Sequence, residues 1–240
     1  MKKIYFILIA ATALILTSCG SVNGLVKTVN KPNDVVMTAD LRAFIAENKM
    51  PSVVLRVPYS TTKVSEQEQK DLEKNTSFYN DLERNLLKAG YTVRDRGLLN
   101  NLLQTGQADY AELGKKIQTD IIIEILSVNF GADNKRQTFT NTKKNREENA
   151  AYWGATLNPR GAIVECKIII VDKGLTGAIA TLYYTTCTDG CYFTMKPKTS
   201  GPIFTYEGRQ YRNGLTWNPV YDEVMGYFSQ CIIDILQGRG

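Results

Sequence analysis

Residues 120–130 read DIIIEILSVNF, and the fold turns on them. Apart from Glu124, the run from Ile121 to Leu126 is apolar and rich in β-branched residues. That is the composition of a strand covered on both faces, so it is expected near the middle of a sheet. The sequence around it alternates between helix and strand signals. Upstream, SVVLRVPY (52–59) reads as the first strand of a domain, ended by Pro58. A long helix is expected over 66–89, where Phe78, Leu82, Leu86 and Leu87 recur at helical spacing and Gly90 stands where a left-handed C-cap belongs. YTVRD (91–95) reads as a short strand. Asp95 is placed to cap the next helix, with Leu98, Leu99, Leu102 and Leu103 on its core face. Asp109 and Glu112 resemble a capping box for a third helix ending near Ile117.

Downstream, AIVECKIIIVD (162–172) and GAIATLYYTTC (177–187) bracket Asp172-Lys173-Gly174 as a hairpin, and a further short pair is expected around Asp189-Gly190. The final helix carries Val224, Phe228, Cys231, Ile232 and Ile235 on one face, with Asn218 as its cap and Pro219 in its first turn. This order of elements argues for an α/β fold of the α+β sandwich kind: a mixed sheet covered by helices, with a C-terminal amphipathic helix.

The chain of 240 residues carries a formal net charge of +5. Removing Lys2 and Lys3 with a leader leaves 27 basic against 24 acidic groups, a net of +3. That charge is too mild and scattered to argue for nucleic acid. Histidine is absent from the whole sequence. Ser-His-Asp and Cys-His catalysis and imidazole-based metal sites are therefore excluded. The reading expects no enzyme, no cofactor and no metal site. The acidic pairs Glu147-Glu148 and Asp222-Glu223 read as a charged loop and a helix first turn, where negative charge is favourable on structural grounds.

The amino terminus reads as a targeting segment. Lys2 and Lys3 precede an apolar core from Ile4 to Leu16, shorter than the roughly 20 residues that span a bilayer but fitted to a signal peptide. Leu16-Thr17-Ser18-Cys19 resembles the lipobox of bacterial lipoproteins. The resemblance implies cleavage before Cys19 and acyl chains on its sulfur and amino group, several of which make an essentially permanent anchor. Gly20, standing where an aspartate would retain the protein in the inner membrane, implies the outer membrane, and Ser21-Val22-Asn23-Gly24, which carry no acidic surface-export cluster, imply a position facing the periplasm. The organisation expected is a lipoprotein signal peptide (1–18), a lipidated tether with a short helix bearing Leu41, Phe44 and Ile45 (19–50), and a single α/β domain (51–240). Residues 131–160 form a polar, patternless excursion of that domain. A tether of about 30 residues has a reach of roughly 30 Å.

Of the remaining thiols, Cys187 and Cys191 flank a tight turn and are expected to bridge in an oxidising compartment, while Cys166 and Cys231 read as core filler. Arg94 and Arg96 at a helix mouth, and Tyr152 and Trp153 at the end of the excursion, are the candidate interaction residues. Trp217 and Tyr211 are likewise expected at the surface.

The lipobox, FYNDLERNLLKAGYTVRDRGLLNNLL (78–103), DYAELGKKIQTDIIIEI (109–125), the KIIIVDKGLTGAIA hairpin (167–180) and the final helix together resemble the curli production assembly/transport lipoprotein family. The globular part of that family is similar to the amino-terminal domain of the Tol translocation protein. The resemblance implies a non-enzymatic outer-membrane lipoprotein that forms a homo-oligomeric ring, with secreted fibre subunits as partners and a pore built from two amphipathic hairpins per protomer. AIATLYYTTCTDGCYFTMK (178–196) is the stretch with the form of such a hairpin, and it is polar on both faces. The chain is also similar to the lipoprotein activators of cell-wall synthases, which implies an alternative: a periplasmic adaptor that regulates an envelope enzyme without a pore.

Overall fold

A computed structural model describes residues 20–56, 66–104, 110–198 and 200–239. Cys19, Pro58 and Asp109 lie outside the described residues. The chain divides into two compact units: unit 1 draws on residues up to Val29, Asp133–Arg160 and Thr185–Asn218, and unit 2 comprises Asn30–Ala132, Gly161–Tyr184 and Pro219 onward.

Unit 2 is the α+β sandwich. Its five-stranded sheet has the order β2-β9-β8-β4-β3, formed by β2 (Asp34–Met37), β9 (Leu175–Thr185), β8 (Gly161–Ile170), β4 (Ile121–Ala132) and β3 (Val53–Arg56). β3 pairs with β4 in parallel, whereas β4 with β8 and β2 with β9 are antiparallel. The strand period of two divides the apolar residues between two faces. Val53, Leu55, Ile121, Ile123, Ile125, Ile168 and Ile170 enter one buried cluster. Their neighbours Val54, Ile122 and Ile169 enter another. The first cluster is covered by α1 (Ala39–Glu47), α2 (Glu66–Lys88) and α5 (Tyr221–Leu236). The second is covered by α3 (Arg96–Gln104) and α4 (Tyr110–Ile117).

Glu124, the one charge in the deciding run, is accounted for by register. Arg56, Glu124 and Lys167 stand side by side across β3, β4 and β8. Glu124 lies 3.3 Å from the Arg56 guanidinium and 3.9 Å from the Lys167 ammonium. The row thus sets a carboxylate between two cations on the partly buried sheet face.

Local details depart from the sequence reading at several points. YTVRD makes a single parallel bridge, Val53 to Val93, in place of a strand. Leu87 and Leu98 are exposed, so the apolar stripes of α2 and α3 are narrower than their periodicity suggests. α5 begins after Val220 with no side-chain cap, so neither Asn218 nor Pro219 plays its expected part.

Unit 1 corrects the reading most. The supposed tether contains β1 (Val22–Val26), an inner strand of a six-stranded sheet with the order β12-β11-β10-β1-β5-β6. The polar excursion supplies β5 (Thr138–Asn141), β6 (Arg146–Asn149), a 3-10 turn (Ala150–Trp153) and β7 (Thr156–Pro159). The later segment supplies β10 (Cys191–Lys196), β11 (Ile203–Tyr206), β12 (Arg209–Arg212) and β13 (Gly214–Trp217). β7 and β13 pair in parallel. Unit 1 has its own core, in which the Phe193 ring lies 5.4 Å from Phe139, 5.5 Å from Phe204 and 6.1 Å from Trp217. The pair expected around Asp189-Gly190 does not form, because β9 and β10 join different sheets.

Candidate functional site

The residues singled out in the sequence fall in two places, one in each unit. In unit 2, Arg94 and Arg96 flank the start of α3. The Asp95 carboxylate accepts from the Gly97 and Leu98 amides at 2.6 and 3.3 Å, so it caps the helix and occupies the donors an anion would need. Arg96 is spent structurally: it donates to Asn80 Oδ1 at 2.6 Å, lies 3.7 Å from Glu83 and stacks over the Tyr79 ring at 5.7 Å. It fixes α3 to α2 and is not a free contact residue. Burial pushes the Glu83 carboxyl up, with Arg96 opposing. It pushes the Tyr79 hydroxyl up to about 12, again against Arg96.

Arg94 lines a shallow cleft with Ser52, Lys115, Gln118, Asp120 and Asp172. The polar groups there are largely spoken for. Arg94 Nε donates to the Gln118 carbonyl at 2.9 Å. Asp120 accepts at 2.7 Å from both the amide and the hydroxyl of Ser52, pinning the start of β3 to the start of β4.

In unit 1, Tyr152 and Trp153 share a groove with Arg146, Glu147, Glu148 and Asn149. Asn149 accepts from the Ala151 amide at 2.8 Å and starts the 3-10 turn, which Gly154 ends at φ 63°. The turn leaves Tyr152 89% exposed, while Trp153 leans on the unit 1 core. Trp217, expected at the surface, is buried, because β13 alternates inward and outward and sends Leu215 and Trp217 inside.

Glu148 is not an acid-base candidate. Burial raises its carboxyl, but the Asn141 amide, Arg146 and Lys144 outweigh it and hold the group below the usual range. Glu223 accepts from the Tyr184 hydroxyl at 3.0 Å, on the first turn of α5.

The thiols divide as their surroundings dictate. Cys187 and Cys191 are joined, and the turn they close lies between strands of separate sheets, not within a hairpin. Burial pushes the Cys166 thiol up to about 12, leaving it unreactive. Cys231 is also raised by burial, and its sulfur accepts from the Asn33 side chain at 3.3 Å. Among the described residues there is no group of three or more metal-binding side chains, and no helix is long and apolar enough to cross a membrane.

Asn33 is the residue the sequence reading passed over. It accepts from the Tyr183 amide at 2.8 Å and donates to the Tyr227 hydroxyl at 3.1 Å, tying the middle of the supposed tether into unit 2. An asparagine beside a proline carries only a turn signal in sequence, which conceals such a role. No family model, curated protein or solved structure matches the chain.

Proposed function

We infer that this chain is a lipid-anchored protein of the bacterial outer membrane, acting by protein–protein contact in curli-type secretion or assembly and not by catalysis. The observation that carries this reading is the order of basic start, short apolar core and Leu16-Thr17-Ser18-Cys19 immediately ahead of a folded chain. The helix-covered mixed sheet of unit 2 is the architecture that the family resemblance implies, and it supports the reading.

A second reading, an adaptor that regulates an envelope enzyme without a pore, is favoured by a separate observation. The stretch 178–196 is split between β9 and β10, which belong to different sheets, and residues 133–160 pack Phe139, Ala150 and Leu157 into the unit 1 core shared with β1, β10, β11 and β13. A lipid-facing ribbon needs paired strands of about 9–11 residues with one apolar face. β5, β6, β11 and β12 have four residues each, and β10 has six.

Extraction in mild detergent followed by sizing and planar-bilayer recording separates the two. A large ring that conducts ions supports the exporter. A monomer that leaves the bilayer silent and retains an envelope enzyme supports the adaptor.

A further inference from the structure

β1 changes the geometry of anchoring. Gly20 and Ser21 alone separate Cys19 from the first residue of an inner sheet strand. Three residue steps span at most about 11 Å. An acylated Cys19 therefore holds one particular end of the unit 1 sheet against the headgroups, with no slack for the sheet to turn over.

The register identifies what stands at that end. Val22 lies opposite Met195, Lys196 opposite Ile203, and Ile203 opposite Arg212. On the other side Gly24 lies opposite Asn141, and the Thr142 amide donates to the Asn23 carbonyl at 2.9 Å, so the β5–β6 turn sits level with the start of β1. Lys143, Lys144, Arg146, Lys196, Lys198 and Arg212 are thereby gathered at this end, and all are exposed. The nearest acids are one step further along: Glu147 is opposite Thr140, level with Leu25, and Glu148 is opposite Phe139. Glu148 partly offsets Lys144 and Arg146, at 3.6 and 3.2 Å. At the far end of the sheet Lys27 and Arg209 lie beside turns that carry Asp189 and Glu207, and Lys135 and Arg136 precede β5 there.

We propose that this end of unit 1 is a headgroup-facing platform, whose cations rest on the anionic phospholipids of the leaflet holding Cys19. The proposal builds on the lipidation reading above. Clusters of four to eight basic residues next to a membrane anchor are drawn to anionic lipid. The span available from Cys19, at most about 11 Å, is little longer than the Debye length of about 8 Å at physiological salt, so the attraction is weakened by screening and strengthens as salt is lowered. Anchor and charge then act together: the acyl chains give affinity and the platform gives orientation. Unit 1 is held with β1 entering from the membrane and with the Cys187–Cys191 turn, opposite the other end of β1, directed away.

The test uses the full processed protein reconstituted into vesicles of phosphatidylcholine alone, or of phosphatidylcholine with phosphatidylglycerol, and footprinted with a water-soluble lysine acylating reagent. Intact-mass analysis of the amino-terminal peptide and flotation of the vesicles report the anchor in the same samples. The expected result is that Lys143, Lys144, Lys196 and Lys198 react several-fold more slowly on the anionic vesicles than on the neutral ones. Lys27, in the same unit, should react equally on both, and high salt should abolish the difference. Floating, acylated protein whose four lysines react alike on both vesicles overturns the platform and leaves the anchor standing. An amino-terminal peptide without acyl mass, in protein that fails to float, overturns both.

Discussion

Glu148 lies beside the Asn141 amide, Arg146 and Lys144, which outweigh the effect of burial and hold its carboxyl below the ordinary range. A carboxylate whose folded-state value is depressed contributes stability that is present above the unfolded value and lost as pH falls through the folded one. Asp133 is also lowered, chiefly by the Asn158 amide, and belongs to the same unit. Both tryptophans, Trp153 and Trp217, are in unit 1, so intrinsic fluorescence reports its unfolding. The thermal midpoint seen by fluorescence should fall as pH drops below about 4.3, the ordinary glutamate value. Glu148→Gln should make that slope shallower without erasing the part owed to Asp133; an unchanged slope would count against the assignment. The thiols give a second prediction at this scale. Alkylation after unfolding without reductant should label Cys166 and Cys231, with Cys187 and Cys191 joining only after reduction, as peptide mass spectrometry will show.

At the scale of elements, Gly24 is the position on which the unit 1 sheet turns. It stands opposite Phe193 in the β1–β10 ladder, and a Cβ there would lie 2.2 Å from the ring. Gly24→Val should cost about 1–3 kcal/mol through overpacking, read as a lower denaturation midpoint by fluorescence. Arg96→Ala should release α3, losing the hydrogen bond to Asn80, about 0.5–1.5 kcal/mol, and the Glu83 ion pair with it. Hydrogen exchange in residues 98–103 should quicken while β4 stays protected; protection unchanged in α3 would contradict the pinning role. What was legible in the sequence follows from the same physics. Unit 2 was readable in the main because β4, β8 and β9 are long and apolar and amphipathic helices flank the sheet, so the local period states the fold; four-residue β2, inside the supposed tether, was not read. Unit 1 was not, because its strands are mostly four residues long and the partners of β1, and of β7, are remote. Gly24 pairs with Asn141 on one side and with Phe193 on the other. A glycine and an asparagine inside VNGLV read as tether when the ring that covers the glycine lies far along the chain. Trp217 misled for a related reason: its burial depends on β13 pairing with β7, which no local pattern announces.

For the whole molecule, the proposed function rests on where an acylated Cys19 would hold the chain. Unit 2 and unit 1 each have buried cores of their own, and several acidic side chains of unit 2 are engaged in structural contacts. Asp95 caps a helix, Asp120 ties two strands together and Glu124 sits in a row of charges. The candidate contact residues reduce to exposed Tyr152 with half-buried Trp153 in unit 1, and Arg94 in the unit 2 cleft. Tyr152→Ala should leave the unit 1 midpoint within about 0.5 kcal/mol of the parent, as expected for a surface position, while weakening capture of an envelope partner; a large loss of stability would show that the ring is structural after all. Metabolic labelling with radioactive palmitate tests the central claim most directly. The account predicts a labelled band that fractionates with the outer membrane, and loss of both label and membrane attachment in Cys19→Ala. A parent band that carries no label would contradict it.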